Sequence, residues 1–222
     1  MKALDIAADF LFLPYSTLTT MDVSYPFRQG ILASVRHPKE FYGNMPALFK
    51  SFASERVATQ MDEAIKASPD FERFSSWGYY HAPLRAGASI SAREEGLVSR
   101  WIYKIPLLKG SVRSFITYGN KLRFDILRNS TSSWEGVLKR ALTDEEGTAL
   151  ASLINYSTGR GSFGSLNKYA PILNLPFFSA RLNLSRVQVI ATVFNPKVPA
   201  HVRRLAAEQI VSLVAAGTAI LA

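Results

Sequence analysis

Three glycines, Gly159-x-Gly161-x-x-Gly164, carry the spacing of a dinucleotide-binding loop. In such a loop backbone amides cradle a pyrophosphate at a helix N-terminus. That chemistry needs a strand before the glycines, a helix after them, and an acid about 20 residues on to hold the ribose. Here Leu150 to Thr158 has helical spacing and follows Thr143-Asp-Glu-Glu146, a capping-box pattern that opens a helix. No Asp or Glu occurs between Arg160 and Ala207. The context rejects a nucleotide loop. Gly159 instead falls where a helix ends, because glycine takes the left-handed conformation there without strain. Gly161 and Gly164 then let the chain turn tightly into the next helix. Arg160 is left as the one side chain of the phrase able to touch an anion.

The other chemistry-bearing residues converge poorly. His37, His81 and His201 have no second histidine or carboxylate at metal-ligand spacing on a shared helix face. His37 precedes Pro38 and His201 falls in a first helical turn, so both read as exposed or capping groups. The chain has no cysteine, which excludes disulfides, thiolate zinc sites and cysteine nucleophiles. No Gly-x-Ser-x-Gly elbow supports a serine nucleophile. The carboxylate clusters Glu94-Glu95 and Asp144-Glu145-Glu146 sit in capping first turns, where they suit the positive end of the helix dipole. Asp62-Glu63 stands apart, and a glycosidase-type pair is the low-ranked alternative for these acids. Trp77, Tyr79 and Tyr80 could stack bases, but no cation interleaves before Arg85, so they read as core or interface. The expectation is a protein that is not an enzyme, with no catalytic, cofactor-binding or metal-binding residues.

Charge points elsewhere. The net charge is +9. Residues 1–110 hold 13 basic and 11 acidic side chains, whereas residues 111–222 hold 13 and 6. A basic half attracts nucleic acid, anionic lipid or an acidic partner, or is simply a solvated surface. The candidate anion contacts are Arg160, Arg181, Arg186, Arg203 and Arg204. The last 13 residues, from Ile210, are uncharged and mostly apolar. That is short of the roughly 20 needed to span a bilayer. Such an ending leads to the expectation that the chain is a segment of a larger polypeptide. The start, interrupted by Asp5 and Asp9, does not read as a signal peptide.

The elements that must position these residues are helical throughout, since apolar spacing of three and four dominates and strand alternation is scarce. Helices are expected at Ala3–Leu13, across Thr19–Val35 with a break near Pro26 and Gly30, from Pro38 to about Phe52, over Ser54–Ala67, and from Pro69 to near Gly78. A loop, and a candidate subdomain boundary, fall within 78–90. Further helices are expected from Ser91 to Ile105, stopped by Pro106, then over Ser111–Asn129, Thr143–Thr158, Ser165–Leu173, Ser179–Phe194 and Pro199–Ala222. The expected fold is all-α: a single domain over 1–222, an irregular bundle of about nine to ten helices with short connections.

Several phrases taken together resemble the large polyvalent protein-associated domains of phages and mobile elements. They run from Thr20-Met-Asp-Val-Ser-Tyr-Pro-Phe-Arg-Gln-Gly30 through Phe52-Ala-Ser-Glu55, Ser91-Ala-Arg-Glu-Glu95 and Asn120-Lys-Leu-Arg123. Ile154-Asn-Tyr-Ser-Thr-Gly-Arg-Gly161 and Phe177-Phe-Ser-Ala-Arg181 close the series and are its most specific part. The resemblance covers about residue 17 to the end and brings no catalytic residues with it. It implies an internal or ejection-type structural protein of a bacteriophage virion, found in the virion interior and then in the host cell after delivery. The implied partners are other virion proteins, copies of itself around the portal, DNA, and the host envelope through the apolar C-terminal helix. The alternative is a cytoplasmic accessory or antirestriction module of a mobile element that protects incoming DNA. Relatives are joined to enzyme modules, and this sequence shows none.

Overall fold

Prolines, caps and glycines divide the chain into its elements. The computed structural model describes residues 30–84, 106–164 and 180–221. Among these every regular element is a helix, so the protein is all-α. The helices expected at Ala3–Leu13, Ser91–Ile105 and Ser165–Leu173 lie outside the described residues, as does the part of Thr19–Val35 before Gly30.

Gly30 caps α1 (Ile31–Arg36), and Pro38 opens α2 (Pro38–Gly43) as its first residue, where its missing N–H costs nothing. The expected single helix from Pro38 to Phe52 is in fact two. Asn44 interrupts it, and α3 (Met45–Ala53) restarts with Pro46 in its first turn. The ring of Pro46 cannot continue a preceding helix without losing a hydrogen bond and meeting the carbonyl four residues back. Ser54 then accepts from the Val57 N–H and caps α4 (Glu55–Lys66), and Pro69 precedes α5 (Asp70–Ser76).

The largest departure is α6. It runs over Pro106–Leu138, 33 residues, instead of Ser111–Asn129. Pro106 is its first residue, again a proline tolerated in a first turn. Gly110 lies within it, its bare backbone against the Phe52 carbonyl of α3, 3.0 Å from where a Cβ would sit. Next, α7 (Asp144–Ser157) opens with the full capping box between Thr143 and Glu146. α8 (Ala180–Phe194) and α9 (Ala200–Leu221) complete the described chain.

α6 is the axis. Tyr118, Leu122, Phe124, Ile126 and Leu127 are all buried on it, and α2, α3, α4 and α7 pack around it. α7 adds Leu150, Leu153 and Ile154, while α8 and α9 contribute Val189, Val202 and Leu205. Each such side chain contributes roughly 1.5–3 kcal/mol on burial. Exposed ion pairs such as Lys109 with Glu55, 2.7 Å apart, contribute about 0–1 kcal/mol. Apolar burial therefore sets the helix arrangement. α9 closes it by packing on α1, α7 and α8 together.

Candidate functional site: the Gly159 turn and the basic hairpin

The site grows from the end of α7. Gly159 has φ +83°, its amide donates to the Tyr156 carbonyl, and the Arg160 amide donates to Asn155. These two bonds are the Schellman pattern that ends a helix on a left-handed glycine. Gly164 is also left-handed, with φ +58°. Gly161 has a different role from the tight turn expected of it. It lies so close to the start of α8 that an added Cβ would be 2.5 Å from the Arg181 carbonyl oxygen and 2.7 Å from the Ser185 amide.

Side chains fasten this crossing. Arg181 Nη1 donates to the Gly161 carbonyl at 2.9 Å. Gln188 brackets Ser162, accepting from its amide at 2.9 Å and donating to its carbonyl at 2.7 Å. Arg160 turns inward, 8% exposed, with its guanidinium 3.7 Å from the centre of the Tyr80 ring. Arg123 of α6, fully buried, reaches the same ring at 5.4 Å and donates to the Tyr80 carbonyl at 3.1 Å. Tyr80 thus takes two guanidinium groups, an arrangement favoured by the negative face of the ring where water is scarce.

Two asparagines hold the backbone that presents Tyr80. Asn155 accepts from the Tyr80 amide and donates to the Gly78 carbonyl. Asn120 accepts from the Ala82 amide at 2.9 Å and donates to its carbonyl at 2.8 Å. Residues 78–82, inside the expected loop and boundary, are therefore bonded directly to α6 and α7. Burying a charge such as Arg123 without partners costs several kcal/mol, so a mid-helix Asn120-x-x-Arg123 in an apolar run is a sequence cue. Asn155, just before the glycine stop, is a second such cue.

The five candidate arginines fall into two groups. Arg160 and Arg181 flank Gly161 and bind within the chain. Arg186 is exposed on α8, Arg203 is half-buried in the first turn of α9, and Arg204 is exposed. The turn at 195–199 separates Arg203 and Arg204 from the Arg181 end of α8. Arg204 shares Glu208 with Arg36 of α1, at 3.0 and 2.8 Å. These three charges rim a groove of about 550 Å³ floored by Val35, Pro38 and Val211. The two arginines hold the Glu208 carboxyl below the usual carboxylate range, Arg36 more strongly, against a smaller opposing effect of burial.

The acid–base groups have local roles. His81 Nε2 is 2.6 Å from Asp62 Oδ1, its Nδ1 is 3.3 Å from the Tyr79 hydroxyl, and that hydroxyl donates to the Asn120 carbonyl. Burial raises the Asp62 pKa, but hydrogen bonds from His81 and Lys66 outweigh it and leave the net shift downward. This carboxylate–imidazole–phenol chain has the order of a proton relay. Its phenol is buried and already donates to a backbone carbonyl, so the chain ties α4 to α6 across residues 79–81. His37 and His201, expected as exposed or capping groups, are half-buried, and His37 is the N-cap residue of α2 without a side-chain cap bond. His201 packs edge-on against Trp134 at 4.6 Å. Glu146, bonded by Arg140 and by the Thr143 amide, has its pKa lowered to about 2. Among the described residues no group of His, Asp and Glu could hold a metal ion, and no helix is long and apolar enough to cross a membrane.

What fold and site define together is an all-α protein whose buried polar groups join its own helices. In comparisons with known proteins, no family model matches the chain, and neither a curated protein nor a solved structure matches it.

Proposed function

We propose that this chain is a non-enzymatic structural component of a bacteriophage virion, of the internal or ejection type that accompanies the genome. In this reading the whole chain is one irregular bundle of nine to ten helices. It packs against copies of itself and other internal proteins near the portal, and its basic C-terminal half meets DNA or the host envelope. The observation that carries the reading concerns the phrase from Asn155 to Gly164, the most specific part of the family resemblance. Its polar side chains at Asn155 and Arg160 bind other segments of the same chain. Such a phrase maintains a shape, which is what a scaffold requires of its sequence. The exposed Arg186 and Arg204 favour the second reading, an accessory or antirestriction module that protects incoming DNA in the cytoplasm.

Mass spectrometry of purified virions from the source separates the two. The expected result is this polypeptide at a fixed ratio to the portal protein. Its absence from virions, with presence in the cytoplasm of cells carrying the element, would remove the virion reading and leave the accessory one.

A further inference from the structure

The outer face of α8 carries an apolar ridge that the fold leaves in solvent. Val187 is 61% exposed, Ile190 50% and Phe194 78%. Their spacing of three and four residues stacks them on one side of the helix. The inward positions of the same helix, Ser185 and Thr192 among them, include hydroxyls that bond back to its own carbonyls. Single exposed apolar side chains are ordinary, but a row of them along one helix face marks a contact surface.

Charge identifies the partner. Arg186 stands at one end of the ridge and Lys197 just past the other, both exposed, and no acid occurs between Arg160 and Ala207. Nucleic acid would meet these cations but leave three apolar side chains in water. An α8-to-α8 contact between two copies would bring like charges together, with no acid on either helix to offset them. An apolar ridge with cations at both ends suits the headgroup boundary of an anionic bilayer. Aliphatic side chains sink into it there, and long cationic side chains extend to the phosphates.

We infer that α8 docks on an anionic lipid surface through Val187, Ile190 and Phe194, with Arg186 and Lys197 at the phosphates. The inference rests on α8 and holds whether or not the chain belongs to a virion, so the vesicle assay below and the virion assay fail independently.

The test is co-sedimentation of the full chain with vesicles of phosphatidylglycerol and phosphatidylcholine, compared with phosphatidylcholine alone, at low and high salt. Binding to the anionic vesicles is expected to exceed binding to neutral ones by about tenfold and to weaken as salt rises. The triple change Val187→Ser, Ile190→Ser and Phe194→Ser, and separately Arg186→Gln with Lys197→Gln, should each lower binding about tenfold. Circular dichroism should stay that of the parent, because these positions are exposed. Equal binding to both vesicle types, no binding, or binding untouched by both variants would overturn the inference. So would self-association in sedimentation velocity, lost in the serine variant, by a chain that ignores vesicles; the ridge would then be an interface between copies.

Discussion

Gly161 shows how one missing side chain sets the distance between two helices. The atoms an added Cβ would meet are the Arg181 carbonyl oxygen and the Ser185 amide nitrogen, both backbone. Neither can swing aside as a flexible side chain would, so α8 itself would have to shift. Gly161→Ala is therefore expected to destabilise the fold by about 1–3 kcal/mol, as overpacking of a well-packed site does. Urea denaturation of the variant checks this, and parental stability would mean the crossing is looser than 2.5 Å implies. Gly159 was readable beforehand, because a helix stop is a local event needing only the residues of its own turn. Gly161 was not, since its constraint comes from residues 20 and more positions away.

Elements meet at joints, and the joint between α1 and α2 is His37. Its amide bonds back to Ala33 and closes α1, while Pro38 begins α2. The His37 pKa is lowered from its ordinary 6.5 to about 4, chiefly by burial, with Glu40 opposing the shift and nearby Arg36 adding to it. The sign follows from which state binds the proton first. As pH falls below about 6.5, the unfolded chain protonates this histidine while the folded chain does not. Stability is therefore full above that pH and declines toward pH 4, by on the order of 3 kcal/mol. His37→Gln should flatten the stability profile between pH 6.5 and 5, above the range where carboxylates titrate. Thermal melts of both proteins across that window decide it, and parallel profiles would refute the assignment. Helix limits elsewhere were legible where a cap or stop was strong, as at Ser54, Thr143 and Gly159. They were not at Asn44, where Pro46 opens a second helix inside one expected span, nor at Pro106, from which α6 runs ahead of the expected Ser111.

At the scale of the molecule, the candidate arginines of the basic half divide by where they sit. Arg160 and Arg181 serve the crossing of α7 and α8, while Arg186, Arg203 and Arg204 lie along the hairpin of α8 and α9. Any affinity for duplex DNA should then lose salt dependence when the latter three become alanine. The slope of log affinity against log salt falls by about 0.9 for each arginine that touched a phosphate. Changing Arg160 and Arg181 to alanine should instead lower stability and leave that slope unchanged. Fluorescence titration over a salt series, with a melt of each variant, separates the two groups. A slope reduced only by the Arg160 and Arg181 pair would reverse the division.

Sequence by itself determined that this protein is helical and where several helices open and close. Periodicity, capping boxes and glycine stops act within a few residues, so the chain carries them wherever it folds. It also determined the charge of the C-terminal half and the lack of acids from 161 to 207. Only the tertiary structure decided that Arg160 and Arg123 face Tyr80 in the interior, that Asn120 and Asn155 clamp residues 78–82, and that the ridge of α8 stays in solvent. Each of these depends on which surface meets another across tens of residues. An arginine or a valine has the same local propensity in either place, and packing alone chooses its side.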